Sequence, residues 1–250
     1  MIDYLNITTR GVASEILVNG APILRTPIDA PCAAIPSITE WLIAGDNRIT
    51  AAVYALSADE PPQLRVQLCA GRLGEFVTPG EELARGELAL HLDPDAPPTL
   101  PAAIDLHESR VGGPRWAWQD AARWTLDEDE LAELWLYIEL LHGYLQDGHI
   151  DDLVAHMRIK YAELGPLYGA APDAAAAVLR QHFVELSAGG AWRVAPLVRA
   201  DLLLRPVCDA RLVTPVDRDG EPALRGLGSS GPWELPVFVG RVAGGLEILR

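Results

Sequence analysis

The histidines are the first residues whose type and spacing could support chemistry. His149 and His156 are seven positions apart, so both can lie on one helix face, and His142 precedes them. A structural zinc site needs histidines at i and i+4 or another clustered set of ligands. The sequence offers no such set, and the acids near His91 and His107 lack the glycine-bearing spacing of a calcium loop. We therefore predict no metal site and no bound cofactor.

Motifs that would carry a nucleophile or bind phosphate are missing from the sequence. It contains no G-x-S-x-G, no G-x-x-x-x-G-K-[ST] and no G-x-G-x-x-G between a strand and a helix. The glycine-rich stretch at residues 226–231 lies between Arg225 and a Pro-Trp pair, which is typical of a flexible hairpin loop rather than an anion-binding nest. No catalytic residue is assigned, and an enzyme is not the leading hypothesis.

Acidic residues are concentrated in one segment of the chain. Residues 125–164 carry ten acids against only two basic residues, Arg158 and Lys160, whereas residues 165–250 carry nine acids and nine arginines. Acids at a helix N-terminus stabilise its dipole, which accounts for part of the excess but leaves a negative patch. Such a patch would speed the encounter with a basic protein. The predicted partner-binding residues are Asp127, Glu128, Asp129, Glu130, Glu133, Asp151 and Asp152.

The bulk composition narrows the class of protein. A formal charge of −15 disfavours direct binding to nucleic acid or to anionic membranes. No stretch approaches 18 uninterrupted apolar residues, and residues 1–6 do not resemble a secretory signal, so a cytoplasmic location is expected. The cysteines, Cys32, Cys69 and Cys208, lie far apart and are predicted to be free, buried side chains.

The elements that would position these residues fall into two predicted domains. Residues 1–120 show short alternating segments separated by turns, which predict an antiparallel β-sandwich. The pair Asn19-Gly20 between two apolar runs predicts a hairpin. Residues 45–47 are predicted to form a turn, and the proline-dense residues 93–98 a loop.

Residues 121–250 are predicted to form about three helices followed by a curved antiparallel sheet, so the fold class is α+β. Thr125 and Glu128 have the spacing of a capping box, and Gly148 ends the helix that they begin. The second helix is predicted at 151–164, stopped by Gly165-Pro166, and the third after Asp173, ending at Gly189-Gly190. Strands are predicted at 196–205, 211–214, 235–242 and 246–249.

Two family resemblances extend this prediction. The order of three helices and about four strands, with the phrase YLQDGHIDDL at residues 144–153, resembles the nuclear-transport-factor and ketosteroid-isomerase superfamily. That resemblance implies a cone-shaped cavity, in which a carboxylate and a hydroxyl group could support isomerase or dehydratase chemistry. Residues 41–53 resemble the turn and strand of jelly-roll sugar-binding modules. The conceivable cone-lining residues are Tyr137, Tyr144, Tyr161, Asp201 and Asp209.

Three functions remain open at this point. The leading hypothesis is a non-catalytic bacterial protein that binds a basic partner through its acidic helical face, as an immunity-type or accessory assembly protein would. The first alternative is a small-molecule enzyme or carrier that uses the cone. The second is carbohydrate binding by the N-terminal sandwich, for which Trp41, Trp116 and Trp118 would supply the aromatic surfaces. The oligomeric state stays undetermined by the sequence.

Overall fold

The chain divides into two compact units. The structure, a computed structural model of the 250-residue chain, describes residues 1–72, 85–90 and 99–250. The units are Met1–Arg115 and Trp116–Arg250. The division falls ahead of the predicted boundary at residue 120 because the short helix α1 (Ala117–Asp120) belongs with the second unit. The amide of Ala117 donates a hydrogen bond of 2.5 Å to the carboxylate of Glu163 in that unit.

The first unit is built from two four-stranded antiparallel sheets. One has the strand order β4-β1-β6-β7 and the other β3-β2-β5-β8. The predicted loop at residues 93–98 lies outside the described residues. The strands are β1 (Ile2–Arg10), β2 (Val12–Val18), β3 (Ala21–Thr26), β4 (Cys32–Ala34), β5 (Gly45–Leu56), β6 (Gln63–Gly71), β7 (Gly86–Ala89) and β8 (Ala102–Arg110).

The predicted Asn-Gly hairpin is confirmed. β2 and β3 pair antiparallel up to Val18 and Ala21, and the two residues between them have φ of 51° for Asn19 and 83° for Gly20. Two consecutive positive φ values give the turn a twist that matches that of the flanking strands, which is why Asn-Gly is favoured there.

The predicted turn at residues 45–47 is wrong, since β5 begins at Gly45 and pairs with β8 from its first residue. Asn47 is buried, and its side-chain oxygen accepts from the amide of Ile43 at 2.8 Å. Its side-chain nitrogen donates to the Ile43 carbonyl at 2.9 Å. The carboxamide therefore supplies the hydrogen bonds that a backbone turn would make, and the strand starts without one.

The second unit combines helices with two antiparallel sheets, so the chain is α+β. The sheets have the orders β10-β11-β14-β15 and β13-β12-β9, where one curved sheet had been predicted. The further helices are α2 (Glu128–Asp147), α3 (Ile150–Ala155), α4 (Arg158–Leu167) and α5 (Pro172–Ser187). The strands are β9 (Arg193–Val194), β10 (Leu202–Val207), β11 (Leu212–Asp217), β12 (Arg225–Gly228), β13 (Gly231–Glu234), β14 (Val239–Val242) and β15 (Gly245–Ile248).

Two of the predicted helix boundaries are corrected. The N-cap of α2 is Asp127 rather than Thr125, because its carboxylate accepts from the amide of Glu130 at 3.0 Å. The predicted second helix is split into α3 and α4, and Pro166 lies inside α4 instead of stopping it. A proline in the last turn removes only one hydrogen bond, and the amide of Tyr168 still bonds the Leu164 carbonyl at 3.0 Å. The predicted end of α2 at Gly148 is confirmed by its φ of 74°.

A cluster of three aromatic side chains, Phe183, Trp192 and Trp233, packs in the core of the second unit. Trp192 and Trp233 are parallel with ring centroids 4.6 Å apart, and Phe183 meets Trp233 edge-on at 6.2 Å. A Cβ at Gly226 would lie 2.0 Å from the carbonyl oxygen of Arg193 and 2.7 Å from the Trp233 ring. The predicted hairpin is confirmed, since β12 and β13 pair antiparallel around residues 229–230, but Gly226 and Gly228 are strand residues. Gly226 lets β9 and Trp233 approach, and a Cβ at Gly228 would lie 2.9 Å from Leu186 of α5.

The turn between β10 and β11 stores backbone strain. Cys208, Asp209 and Ala210 have φ of 52°, 57° and 56°, a conformation that costs any residue with a Cβ. Ala210→Gly should therefore stabilise the protein by roughly 0.5 kcal/mol, after the larger entropy of glycine in the unfolded chain is subtracted. Ala174→Gly, at an exposed position inside α5, should instead destabilise it by about 1 kcal/mol. Urea unfolding of both variants measures whether the two changes in the free energy of unfolding have opposite signs. Equal losses of stability would show that the turn is not strained.

Candidate functional site

Four acids of residues 125–164, two of them in the predicted patch, are ion-paired with arginines in the folded chain. Residues 165–250 carry no net charge, but four of their arginines form ion pairs with acids of residues 125–164. Each arginine places a guanidinium nitrogen on one of those carboxylates. The pairs are Arg241–Glu133 at 2.6 Å, Arg199–Glu139 at 2.7 Å, Arg180–Asp151 at 2.5 Å and Arg250–Glu163 at 2.7 Å.

Two further acids of the predicted patch accept hydrogen bonds from backbone amides at the start of α2. The Glu130 carboxylate accepts from the amides of Thr125 and Leu126 at 2.7 and 2.8 Å, and Asp127 caps the helix. The hydrogen bond from the Glu130 amide is the main reason that the pKa of Asp127 is lowered. For Glu130, burial acts to raise the pKa, but hydrogen bonds from Thr125 and Leu126 outweigh it and lower the pKa. Both carboxylates therefore stay ionised to stabilise the helix.

The exposed acids of α2 that remain are Glu128, Asp129 and Asp147. Among the described residues none of the three has an ion pair or a side-chain hydrogen bond. Glu128 and Asp129 lie in the first turn, where the helix dipole favours negative charge. Asp147 is the last residue of the helix, where the dipole disfavours a carboxylate, so helix stability gives no reason for its presence. Asp152 is also exposed, with its carboxylate 3.8 Å from the His149 ring.

An apolar stripe runs along the same helix between these acids. Leu136 and Leu140 have 65% and 43% of their surface exposed, which is high for leucine in a helix that packs on a core. They border an open pocket of about 290 Å³ on the surface of the second unit. The pocket is lined by Glu133, Leu136, Tyr137, Leu140 and Leu246.

The predicted cone-lining residues are only partly brought together. The hydroxyl of Tyr137 lies 3.1 Å from Nδ1 of His156, and Tyr144 stacks on the same imidazole with ring centroids 5.8 Å apart. Burial, followed by the nearby Glu247 carboxylate and Tyr144, raises the pKa of Tyr137. Tyr137 therefore stays protonated at neutral pH and is a poor general base.

The other three predicted cone residues lie elsewhere. The Tyr161 hydroxyl contacts the sulfur of Met157 at 3.4 Å, and burial raises its pKa to about 12. Asp201 and Asp209 are both exposed, and Asp209 is ion-paired with Arg123. They cannot provide a carboxylate inside an apolar cavity, since each lies at a surface turn or helix rather than on an inward-facing strand position. The carboxylate that lies near Tyr137 is Glu247, which pairs with Arg158 at 2.6 Å.

The interior between the helices and sheets is occupied by large side chains. Buried residues of α2 pack with those of α3, α5 and the strands in one cluster. The cluster includes Trp124, Leu134, Leu141, Leu145, Leu153, Met157, Phe183, Leu186 and Trp233.

The tryptophans offered for sugar binding are also buried, with Trp41, Trp116 and Trp118 exposing 7%, 3% and 4% of their surface. Their ring faces are therefore not available for stacking on a sugar from solvent.

Within residues 1–72, 85–90 and 99–250, no group of three or more histidine, cysteine or acidic side chains is arranged to hold a metal ion. None of the helices in this part of the chain combines the length and the hydrophobicity needed to cross a bilayer. Comparison with protein-family models, curated proteins and solved structures finds no match for this chain. A functional assignment therefore depends on the geometry of the second unit.

Sequence reasoning missed the residues that distinguish this surface. Asp147, Leu136 and Leu140 were not among the predicted site residues, because acids and leucines in an amphipathic helix are ordinary. One signal was present in the sequence: Leu136 and Leu140 lie off the stripe formed by Leu134, Ile138, Leu141 and Leu145.

Proposed function

We propose that this protein is a non-catalytic binding module that engages a basic protein through the exposed face of α2. The observation that carries the proposal is the placement of Asp129 and Asp147, which have no ion pair within the described part of the chain and lie near the two ends of an exposed helix face. Glu133 and Asp151 of the predicted patch are ion-paired with arginines, so they contribute less to a long-range field. An immunity-type or accessory assembly role suits such a module.

The net charge supports the choice of a basic partner. A protein of charge −15 attracts cationic proteins at long range, and acids at the rim of an interface act mainly on the association rate. Asp147 adds a specific reason, because a carboxylate at a helix C-terminus costs about 0.3–1 kcal/mol. A residue kept at such a cost is more readily explained by binding than by folding.

Charge reversal at the two ends of α2 tests the proposal. Asp129→Lys/Asp147→Lys should slow association with a basic protein captured from cell extract at least tenfold at low salt. The difference should shrink towards 0.15 M salt, where the Debye length is about 8 Å. Stopped-flow association rates across a salt series provide the measurement.

A matched control separates the site from net charge. Asp59→Lys/Asp219→Lys makes the same change in charge at exposed positions outside α2 and should change the rate far less. Asp147→Lys alone should also raise the free energy of unfolding by about 0.3–1 kcal/mol, because lysine suits a helix C-terminus. Equal association rates for wild type and the Asp129→Lys/Asp147→Lys variant at low salt would refute the proposal.

A second candidate is a small-molecule site at the pocket beside Tyr137. Its support is the Tyr137–His156 hydrogen bond at the edge of an apolar depression that also contains Glu133. The open shape of the pocket and the raised pKa of Tyr137 favour ligand binding over proton abstraction. Saturable binding of a small molecule that Tyr137→Phe weakens, without loss of stability, would favour this candidate. Carbohydrate binding has no comparable support, because the tryptophans offered for it, Trp41, Trp116 and Trp118, are buried.

The finer architecture is also a proposal. The two sheets of the first unit would pack face to face as a β-sandwich, which is supported by the ion pair of 2.7 Å between Asp3 on β1 and Arg110 on β8. The cone of the nuclear-transport-factor and ketosteroid-isomerase superfamily and the jelly-roll resemblance stay predictions.

A further inference from the structure

The exposed side of α2 has the spacing of a helix-packing seam. Six residues follow one another at intervals that alternate between four and three, which is the heptad spacing at which one helix faces another. Apolar and small residues occupy the middle of the seam, and acids occupy its ends. The seam residues are Asp129, Glu133, Leu136, Leu140, Gly143 and Asp147.

The middle of this seam is physically open to a second helix. Leu136 and Leu140 project their side chains into solvent, and Leu246 and Tyr137 form the floor beside them. A Cβ placed on Gly143 would meet no atom within 4 Å, so a partner backbone can approach closely at that turn. Apolar knobs beside a small residue are the arrangement that lets two helices interdigitate.

We propose that the occupant of this seam is an amphipathic helix of a basic protein. It would carry apolar anchors opposite Leu136 and Leu140, and an arginine or lysine opposite Asp129 and opposite Asp147. Each acid lies seven residues, about 10 Å, from the nearer leucine, so the two cations would be separated by about 27 Å. This inference depends on the proposed function and specifies its partner as a helix with central apolar residues between two cations.

A second copy of the chain fits the seam less well. The seam is symmetric about residue 138, so antiparallel pairing of two α2 helices would place Leu136 against Leu140. The same pairing would place Asp129 opposite Asp147 at both ends, and like charges in direct opposition are destabilising. The charge of −15 on each copy adds to that repulsion. The complementary charge of a basic helix removes both objections.

The probe is a designed fluorescent peptide of about 25 residues, long enough to be helical in an alanine-rich sequence. It carries two central leucines with the spacing of Leu136 and Leu140, and arginines with the spacing of Asp129 and Asp147. A matched peptide has glutamate in place of each arginine. Fluorescence anisotropy with the full chain should show binding of the arginine peptide and none of the glutamate peptide.

Two pairs of substitutions locate the binding surface. Leu136→Ser/Leu140→Ser should weaken binding of the arginine peptide roughly tenfold or more, because buried apolar anchors dominate interface energies. Val178→Ser/Val184→Ser removes two apolar side chains from α5 that are 70% and 63% exposed, and it should leave the affinity within about twofold. All four positions are exposed, so circular dichroism should show the wild-type fold in both variants.

Three results would overturn the inference. The first is an unchanged affinity in the Leu136→Ser/Leu140→Ser variant, and the second is no binding of the arginine peptide at millimolar concentration. The third is a dimer, detected by sedimentation, that the same leucine substitutions dissociate. If charge reversal slows association with a captured basic protein while the leucine variant binds that protein normally, the proposed function stands and the helix seam alone fails. If charge reversal has no effect on association, the proposed function fails as well.

Discussion

Trp233→Ala is expected to destabilise the second unit by about 3–5 kcal/mol, the range for removing a large buried aromatic side chain. Trp233 is 6% exposed, lies parallel to Trp192 and meets Phe183 edge-on. Its loss would leave a cavity between α5 and the sheet β13-β12-β9. Urea unfolding followed by tryptophan fluorescence reports mainly on this unit, because six of the seven tryptophans lie in it.

Two comparison variants test whether the packing of the Trp233 ring accounts for this loss of stability. The indole N–H of Trp233 is buried and has no hydrogen-bond partner among the described residues, so Trp233→Phe keeps most of the ring and loses no bond. Its cost should stay below about 1.5 kcal/mol. Leu227→Ala, on the same hairpin but 55% exposed, should cost still less. A loss for Trp233→Ala no larger than that for Leu227→Ala would show that the cluster of three aromatic side chains does not hold the unit together.

Arg25→Leu should destabilise the first unit by about 3 kcal/mol. The Glu15 side chain is completely buried, and the Arg25 Nε donates to its carboxylate at 3.1 Å. The Tyr54 hydroxyl donates to the other carboxylate oxygen at 3.1 Å but carries no charge to compensate it. Removing a guanidinium from a buried carboxylate is costly because the protein replaces the hydration of the ion poorly. Scanning calorimetry of the full chain, with separate transitions assigned to the units, measures the loss.

The double variant Glu15→Leu/Arg25→Leu tests whether the cost comes from the unpaired charge. Replacing both partners with apolar residues should recover most of the stability lost in Arg25→Leu, because the buried charge is then gone. Arg10→Leu breaks an exposed ion pair with Glu60 of similar length, 2.9 Å, and should lower the transition temperature far less. If the double variant is less stable than Arg25→Leu, the buried ion pair is a source of stability in its own right.

Local features of the fold were predictable wherever the chemistry of neighbouring residues decides them. The Asn19-Gly20 turn follows from the positive φ that both residues tolerate, and Gly148 ends α2 for the same reason. The N-cap was placed two residues early because Thr125 and Asp127 are both good caps. Only the positions of the Glu130 carboxylate and of the amides around it select Asp127.

Long-range contacts decided the features that the sequence did not show. The strand β5 begins at Gly45 without a turn because the carboxamide of Asn47 bonds Ile43 and Asn19, and no local pattern distinguishes that from a turn. The predicted loop at residues 226–231 contains the end of β12, because Gly226 is required by Arg193 and Trp233 and Gly228 by Leu186, all of which lie outside the stretch.

The charge of the candidate site also depends on long-range contacts that the sequence does not show. The sequence alone determined that residues 125–164 are strongly acidic and that α2 carries no basic residue. The tertiary structure decided which carboxylates stay uncompensated, because the arginines that neutralise Glu133, Glu139 and Asp151 come from 29 to 108 residues away along the chain. Ion pairing depends on distance in space, and a charge pattern along the chain carries no information about which distant side chains will meet. Asp129 is a predicted binding residue from the sequence alone, whereas Asp147 became a candidate only once those partners were in place.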